Sequence, residues 1–164
     1  MLPGDLTASY DGVCVYVTLT GRISLFGKLI LLFINSFIIS VIVALWVMNI
    51  GIAAICFTVL ELLIIRYTLW NVMGKEHVII NTRSLSYQFD YGFFVTELNS
   101  VAITKELRVI PFNEVKEANG IYTRLLFESY DENHLPINIY HTTLALSEDD
   151  HKKLIELLNQ LYLD

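Results

Sequence analysis

Hydrophobic and polar residues follow three different patterns along this chain. Residues 25–73 are apolar on every side of any helix drawn through them, which is typical of helices that face lipid. Residues 74–146 form short runs in which apolar and polar positions alternate with the period of a β-strand. From Ser147 onward, leucines recur at helical spacing. The chain therefore combines an apolar helical block, a β-rich region and a final helix.

The apolar block is long enough for two membrane-spanning helices. A spanning helix needs about 20 residues, and the block has 49. Asn49, Ile50 and Gly51 form the best turn, because Asn and Gly break the apolar run there. We predict one helix near Leu25–Met48 and a second near Ile52–Met73. A single long helix would leave at least about 20 apolar residues unused.

Basic residues flank the block and indicate its orientation. Arg22 and Lys28 lie near its start, Arg66 and Lys75 lie near its end, and the turn carries none. The positive-inside rule places both termini in the cytoplasm, as in a multi-pass protein of the plasma (inner) membrane. The polar first nine residues lack the pattern of a cleaved signal peptide.

Aromatic residues near both ends of the predicted helices fit the interfacial belts of a bilayer. Trp46 lies close to the turn, and Tyr67 and Trp70 lie close to the cytoplasmic exit. We predict these three residues as membrane-interface anchors.

Glu61 is the one acidic residue inside the apolar block. An ionised acid at this depth costs roughly 2.5–3.5 kcal/mol on insertion scales, so it needs a partner or shelter from lipid. Asn35 and Ser36 are the candidates within the hairpin to bond it, and Arg66 can reach part of the way back. Three interpretations stay open: pairing between the helices, contact with a partner subunit, and transport.

Composition and charge separate the chain into two parts. Of 164 residues, 54% are hydrophobic and 17% are charged, and the net charge is −6. Residues 74–164 hold eight Lys or Arg against fourteen Asp or Glu, so they carry the entire net charge. An acidic domain disfavours nucleic acid and broad adhesion to anionic lipid. Cys14 and Cys56 form neither a disulfide framework nor a metal motif.

The β-type runs predict seven strands and one helix. The segment Pro111–Gly120 has no strand pattern and is predicted as an exposed loop. Ser147, followed by acids in the first turn, is a good N-cap for the final helix. The predicted strands are Val13–Thr20, Glu76–Asn81, Ser84–Asp90, Phe93–Glu97, Val101–Val109, Ile121–Tyr130 and Ile137–Thr143.

This inventory predicts an α+β membrane protein. Its soluble part is a pleckstrin-homology-like (PH-like) β-domain of seven strands with a C-terminal helix, and the transmembrane hairpin is inserted after the first strand. The expected division is residues 1–22, an N-terminal segment whose strand joins the soluble domain, residues 23–73, the hairpin, and residues 74–164, the cytoplasmic domain.

The junction resembles that of small bacterial membrane proteins with a two-helix hairpin and a PH-like cytoplasmic domain. Trp70, Gly74 and Glu76 match their W-x-x-x-G-x-E pattern. More weakly, the layout is similar to that of a photosystem I assembly factor. The resemblance implies a membrane-bound accessory or scaffold protein. Physically, Trp70 suits the headgroup level, Gly74 suits a helix end, and Glu76 suits pairing with Lys75 or a backbone donor.

The sequence offers no recognisable catalytic chemistry. It contains no nucleophile elbow, P-loop or dinucleotide fingerprint. The four histidines have no metal-ligand spacing. We therefore expect no enzyme activity, no cofactor, no metal and no small-molecule substrate. The histidines are His77, His134, His141 and His151.

Two surfaces are candidates for binding a protein. One is the loop carrying Phe112 and Val115 among polar residues. The other is an aromatic series in which alternate members fill the core, while the rest either face a partner or the membrane or belong to the core as well: Tyr87, Phe89, Tyr91, Phe93 and Phe94.

The expected function is that of a non-catalytic accessory or assembly subunit. Its hairpin would dock on a larger membrane protein complex, or on a second copy of the chain, through Glu61, Asn35 and small residues near the turn. Its cytoplasmic domain would bind protein. The alternatives are an immunity or regulatory protein that inhibits a membrane-acting toxin or transporter, and a membrane-anchored lipid sensor.

Overall fold

The computed structural model describes residues 4–21, 23–117 and 120–163. It is an α+β protein with two long apolar helices, two antiparallel sheets and a C-terminal helix. Its elements are β1 (Gly4–Tyr10), β2 (Val15–Gly21), α1 (Leu25–Val47), α2 (Gly51–Met73), β3 (Lys75–Ile80), β4 (Ser84–Asp90), β5 (Asn99–Ala102), β6 (Arg108–Glu117), β7 (Gly120–Tyr130), β8 (Pro136–His141), β9 (Leu146–Ser147) and α3 (Glu148–Leu163).

The two long helices begin and end within about a residue of the predicted positions. The Ser24 hydroxyl accepts a hydrogen bond from the Gly27 amide at 3.1 Å and caps α1. Asn49 has a φ of 58°, so the turn uses a residue that tolerates the left-handed region. Both helices are long and apolar enough, by length and composition, to cross a bilayer.

The first sheet has the order β1-β2-β3-β4-β5. β2 pairs antiparallel with β3, from Val15 opposite Ile80 to Thr20 opposite Lys75. The hairpin therefore lies between two neighbouring strands of one sheet. The predicted insertion after the first strand is wrong, because β1 precedes β2. Arg22, which was used for the orientation, lies outside the described residues.

β1 is missing from the sequence prediction because its residues look polar. Its inward positions include Gly4 and Leu6, while Asp5 and Thr7 lie on the opposite face. A Cβ atom on Gly4 would approach the Leu144 Cβ to 3.2 Å, so the strand packs closely on the segment before α3. Small inward residues thus conceal the alternation that identifies a strand.

The second sheet has the order β6-β7-β8, with β9 paired to β7. The loop predicted over Pro111–Gly120 is wrong, because β6 continues through most of it and pairs with β7. Proline is tolerated on an edge strand, and a bulge between Phe112 and Val115 absorbs Asn113, whose φ is 53°. These irregular residues hide the strand pattern.

The predicted strand Phe93–Glu97 is also wrong. In this segment only Val95 forms a bridge, opposite Asp90. The predicted run Val101–Val109 is divided, since β5 ends at Ala102 and β6 begins at Arg108. Residues 103–107, between these two strands, form no ladder with a neighbouring strand.

The core lies between the two sheets and beneath α3. The Ser147 hydroxyl accepts a hydrogen bond from the Asp150 amide at 3.2 Å, as predicted for the N-cap of α3. The helix then packs against β1, β2, β7 and β9. Fully buried core side chains include Val15, Leu19, Ile80, Leu85, Leu125, Phe127, Leu146 and Leu154.

Candidate functional site

The polar side chains of the hairpin meet in the seam between α1 and α2. Asn35 is the buried residue of α1, and its amide nitrogen donates to the Thr68 hydroxyl at 2.8 Å and to the Leu31 carbonyl at 2.6 Å. Glu61 and Asn71 of α2 are buried as well. The outward faces of both helices are mainly exposed apolar side chains. The seam thus shelters polar groups that would be costly in lipid.

Glu61 does not bond to Asn35. Its residue is 4% exposed, and neither carboxyl oxygen has a hydrogen-bond partner in the described part of the chain. Asn35 bonds instead to Thr68, about two helical turns further along α2 toward the domain. The other candidate, Ser36, is exposed. Contact between Glu61 and a partner subunit stays a prediction.

Arg66 turns toward the domain. Its guanidinium carbon lies 5.7 Å from the centre of the Tyr91 ring, in cation–π geometry. Tyr91 follows β4, so this contact joins α2 to the soluble part of the chain. No sequence signal connects Arg66 to Tyr91, since 25 residues separate them.

The three aromatic residues predicted as interface anchors have different environments. Trp46 and Tyr67 are exposed. Trp70 is half-buried and packs on the domain, with its ring 5.6 Å from Phe89 and 5.2 Å from Tyr91. Trp70 therefore connects the hairpin to the first sheet.

Gly74 ends α2 in an extended conformation, with φ −58° and ψ 134°. A Cβ atom at this position would lie 2.1 Å from the Trp70 carbonyl oxygen. The junction pattern therefore requires glycine at this position, because the last turn of α2 lies too close to leave room for a Cβ atom.

Glu76 is the centre of a buried polar cluster. It is fully buried in β3, accepts a hydrogen bond from the Tyr140 hydroxyl, and accepts another from the Thr143 amide at 3.0 Å. The sequence predicts pairing with Lys75 or a backbone donor, and the Thr143 amide is that donor. Tyr140 is a partner that sequence reasoning missed, because it lies 64 residues away.

Burial dominates the electrostatics of this cluster. It raises the pKa of the Glu76 carboxyl, although the bonds from Tyr140 and Thr143 oppose the shift. Burial and the neighbouring Glu76 raise the pKa of Tyr140, so its hydroxyl stays a donor. The cluster ties β3 to the strand β8 and the segment that follows it. Its contacts are those of a structural clasp between the two sheets.

A cleft of about 390 Å³ opens beside the last turns of α2. Arg124 of β7 lines it, and the Nε of this residue is buried without a hydrogen-bond partner among the described residues. Tyr67, Trp70 and Asn71 line the opposite wall. Sequence reasoning missed Arg124, which looks like any outward residue of a strand.

Phe112 is exposed on the edge strand β6, opposite Arg124 of β7, and Ile121 is exposed on the other face of β7, opposite Lys116. The backbone of Val115 lies in β6, but its side chain is outside the described residues. The segment predicted as a protein-binding loop is therefore the edge strand of a β-hairpin.

The four histidines are dispersed in the structure. His77 lies within 3.0 Å of the Thr18 hydroxyl and 3.8 Å from the Asp90 carboxylate, on the outer face of the first sheet. Among residues 4–21, 23–117 and 120–163, no three potential ligands group to hold a metal ion. Comparison of the chain with protein-family models, curated proteins and solved structures finds no match.

Proposed function

We propose that this chain is a non-catalytic membrane accessory or assembly subunit. Its hairpin spans the plasma membrane, both termini are cytoplasmic, and the domain is PH-like and binds a protein partner. The observation that carries this proposal is the segregation of the hairpin: its amide and carboxyl side chains are buried, and mainly apolar side chains cover the outside, where the hydroxyls of Ser40 and Thr58 bond to carbonyls of their own helices.

The seam supports the membrane assignment. In a water-soluble helical pair, the apolar side chains would turn inward and the polar ones outward. Here the reverse holds, since Phe33, Ile52 and Leu63 are exposed while Asn35 and Glu61 are buried. Lipid is the solvent that makes this arrangement favourable, because it solvates apolar surface and penalises polar groups.

The junction supports an assembly role, because it fixes the domain against the hairpin. Trp70 packs on β4, and the end of α2 leaves no space for a side chain at position 74. A subunit held this way presents its domain at a defined height and orientation above the bilayer. Such presentation suits recognition of a membrane complex better than capture of a diffusing small molecule.

The edge strand β6 is the surface we assign to the protein partner. It pairs only with β7 among the described strands, so its outer backbone groups are available to another strand. Phe112 adds an exposed apolar contact on one face of this edge, and Ile121 of the neighbouring strand adds one on the other face.

The test is purification of the full chain in mild detergent, with quantification of the proteins that stay bound. We expect a stoichiometric membrane protein. Phe112→Ser and Ile121→Ser should reduce its recovery, whereas Val13→Ser, at an exposed turn of the other sheet, should not. Glu61→Leu should also loosen the complex if this residue contacts the partner. Recovery of a lone monomer contradicts the proposal.

Cysteine labelling tests the topology in intact cells. We expect Asn49→Cys to react with an impermeant reagent from outside, and Ser147→Cys to react only after the membrane is opened. Cys14→Ser and Cys56→Ser provide the background, because both cysteines are free. The opposite pattern contradicts the orientation.

Recognition of anionic lipid is a second candidate function, and the Arg124 cleft favours it. An arginine with an unsatisfied Nε beside Tyr67 and Asn71 suits a phosphate headgroup at the level where α2 leaves the bilayer. Native mass spectrometry should show phosphatidylglycerol retained by the wild type and lost from Arg124→Gln. Equal retention by both contradicts this candidate.

A further inference from the structure

The loop between β4 and β5, residues 91–98, carries an exposed apolar surface. Phe93 at its tip is 78% exposed, and Phe94, Val95 and Leu98 are exposed too. Connecting loops run over the surface and are mostly polar. Contiguous apolar side chains on such a loop indicate a surface that water does not normally cover.

The start of this loop lies beside the last turns of α2. A Cβ atom on Gly92 would lie 3.0 Å from the Cβ of Met73, the last residue of that helix. Tyr91 contacts Trp70 and also the Arg66 guanidinium. Arg66 lies seven residues before Met73, or about 10 Å along the helix axis. Tyr91, the first residue of the loop, also lines a cleft with Leu63 and Tyr67, so the loop begins beside the last three turns of α2.

Local bonds hold the tip in this position. The Tyr91 amide donates to the Phe94 carbonyl at 2.9 Å, and the Gly92 amide donates to the Asp90 carboxylate at 2.7 Å. The Tyr91 and Phe94 rings are stacked, with centroids 4.6 Å apart. Gly92 has a φ of 87°, which a residue with a side chain rarely adopts. The tip is thus a turn held by hydrogen bonds and ring stacking, and Phe93 points away from the domain.

We propose that this loop inserts into the interfacial zone of the leaflet that α2 leaves, with Phe93 and Val95 as the inserted side chains. The proposal rests on the membrane-spanning hairpin proposed above. The occupant is lipid because the exposed apolar face of α2, including Leu63, continues into the loop. Amphipathic surfaces of this kind enter a bilayer by about 5–10 Å. The loop then acts as a third membrane contact that sets the tilt of the domain.

The experiment places an environment-sensitive fluorophore at single cysteines in the full chain. Vesicles contain phosphatidylcholine and phosphatidylglycerol, with or without a nitroxide-labelled lipid, and the background is Cys14→Ser with Cys56→Ser. The tested site is Phe93→Cys, and Val95→Cys is a second site that reports the same loop. Leu63→Cys, at a residue 66% exposed on α2, reports hairpin insertion.

Val13→Cys is the matched control. Val13 is apolar, 69% exposed, and lies on a tight turn of the same sheet. It lies at the opposite end of the strands, roughly 20 Å from the hairpin exit. Its label should face water whether or not the loop inserts.

We expect the labels at positions 93 and 95 to emit at shorter wavelength than the label at 13. They should be quenched by nitroxide lipid, and their quenching by aqueous iodide should be several-fold weaker than at 13. Water-exposed labels at 93 and 95 with a lipid-quenched label at 63 overturn the inserted loop and leave the hairpin proposal intact. Labels at 93 shielded from both quenchers indicate a protein covering and also overturn it. A water-exposed label at 63 overturns the membrane-spanning hairpin itself.

Discussion

Two glutamates, fifteen residues apart in the chain, are buried in different halves of the molecule. Glu61 lies in the seam of the hairpin, and neither of its carboxyl oxygens has a partner among the described residues. Glu76 lies in the sheet just beyond, bonded by Tyr140 and the Thr143 amide. A two-helix seam offers few donors, because each helix satisfies its own backbone. A two-sheet domain brings donors from distant segments to one carboxyl.

The difference shows which buried acid organises the fold. Glu76 joins β3 to β8, so its loss leaves two buried donors unsatisfied. Glu61 joins nothing in the described chain, so its loss removes only a polar group from an apolar setting. We expect substitutions in the domain cluster to have large effects on stability and substitutions in the seam to have small ones.

Glu76→Ala has the largest expected effect. It removes the acceptor of the Tyr140 hydroxyl and of the Thr143 amide, and we expect the free energy of unfolding to fall by about 3 kcal/mol. Urea unfolding of the full chain in detergent, followed by circular dichroism, measures the change. Glu148→Ala is the control, because its ion pair with Lys152 is exposed and should give no measurable change. Equal losses of stability in Glu76→Ala and Glu148→Ala would show that the buried cluster contributes no more than an exposed ion pair.

Gly74→Ala tests the junction between the two halves. The added Cβ would meet the Trp70 carbonyl oxygen, so the end of α2 must shift, at a cost of about 2 kcal/mol. Thermal unfolding should show a lower midpoint. Gly51→Ala is the matched control, since nothing lies within 4 Å of its added atom. A Gly74→Ala protein as stable as the wild type would show that the helix end adjusts freely.

The pH dependence of unfolding sharpens the role of Glu76. Because its folded-state pKa is raised above the ordinary value of 4.5, the folded state holds the proton where the unfolded state has lost it. The free energy of unfolding should therefore be highest below 4.5, fall as pH rises through the raised pKa, and then level off. Glu76→Gln should remove this fall. A fall that persists in Glu76→Gln comes from another group.

Tyr140→Phe should move that fall to higher pH, because the hydroxyl bond lowers the pKa of Glu76. It should also destabilise the domain by about 1 kcal/mol at neutral pH. Tyr162→Phe, at an exposed tyrosine, is the control. A shift to lower pH would contradict the assigned hydrogen bond.

Asn35→Ala has the smallest expected effect. Hydrogen bonds between helices within a membrane contribute about 0.6 kcal/mol on average, and the bond to Thr68 joins the two helices that we propose to span the membrane. A double-mutant cycle with Thr68→Val isolates the coupling energy of the Asn35–Thr68 pair. The measured quantity is the free energy of separating the two helices of the hairpin in detergent. An Asn35–Thr68 coupling energy as large as the loss of stability in Glu76→Ala would contradict the comparison, because the hairpin would then contribute as much polar stabilisation as the domain.

The features that the sequence predicts well are those set by local patterns. The hairpin is defined by length and apolar content, and its ends are found within about a residue. β4 and α3 likewise follow clear alternation or capping signals. β1 escapes prediction because small residues occupy its inward positions, and β6 escapes because Pro111 and Asn113 interrupt its pattern.

The site is less predictable because its contacts are long-range. The junction pattern draws attention to Trp70, Gly74 and Glu76, yet nothing near Glu76 in the sequence identifies Tyr140. The positions of Arg124 and Tyr91 beside α2 are equally hard to predict, because each reaches that helix only after the sheets form. The prediction of a bond between Glu61 and Asn35 is wrong for a geometric reason. Two residues at a similar distance from the turn do not necessarily face each other across the seam.

The pairing of β2 with β3 has a consequence for synthesis. The ribosome makes β1 and β2 first, then the whole hairpin, and only afterwards the strand that β2 needs. Until the hairpin and β3 have been made, one edge of β2 has no partner strand. In the membrane topology that we propose, the domain is completed only after the hairpin has been inserted, so a chain whose insertion is blocked would keep an open sheet edge that proteases and chaperones can recognise.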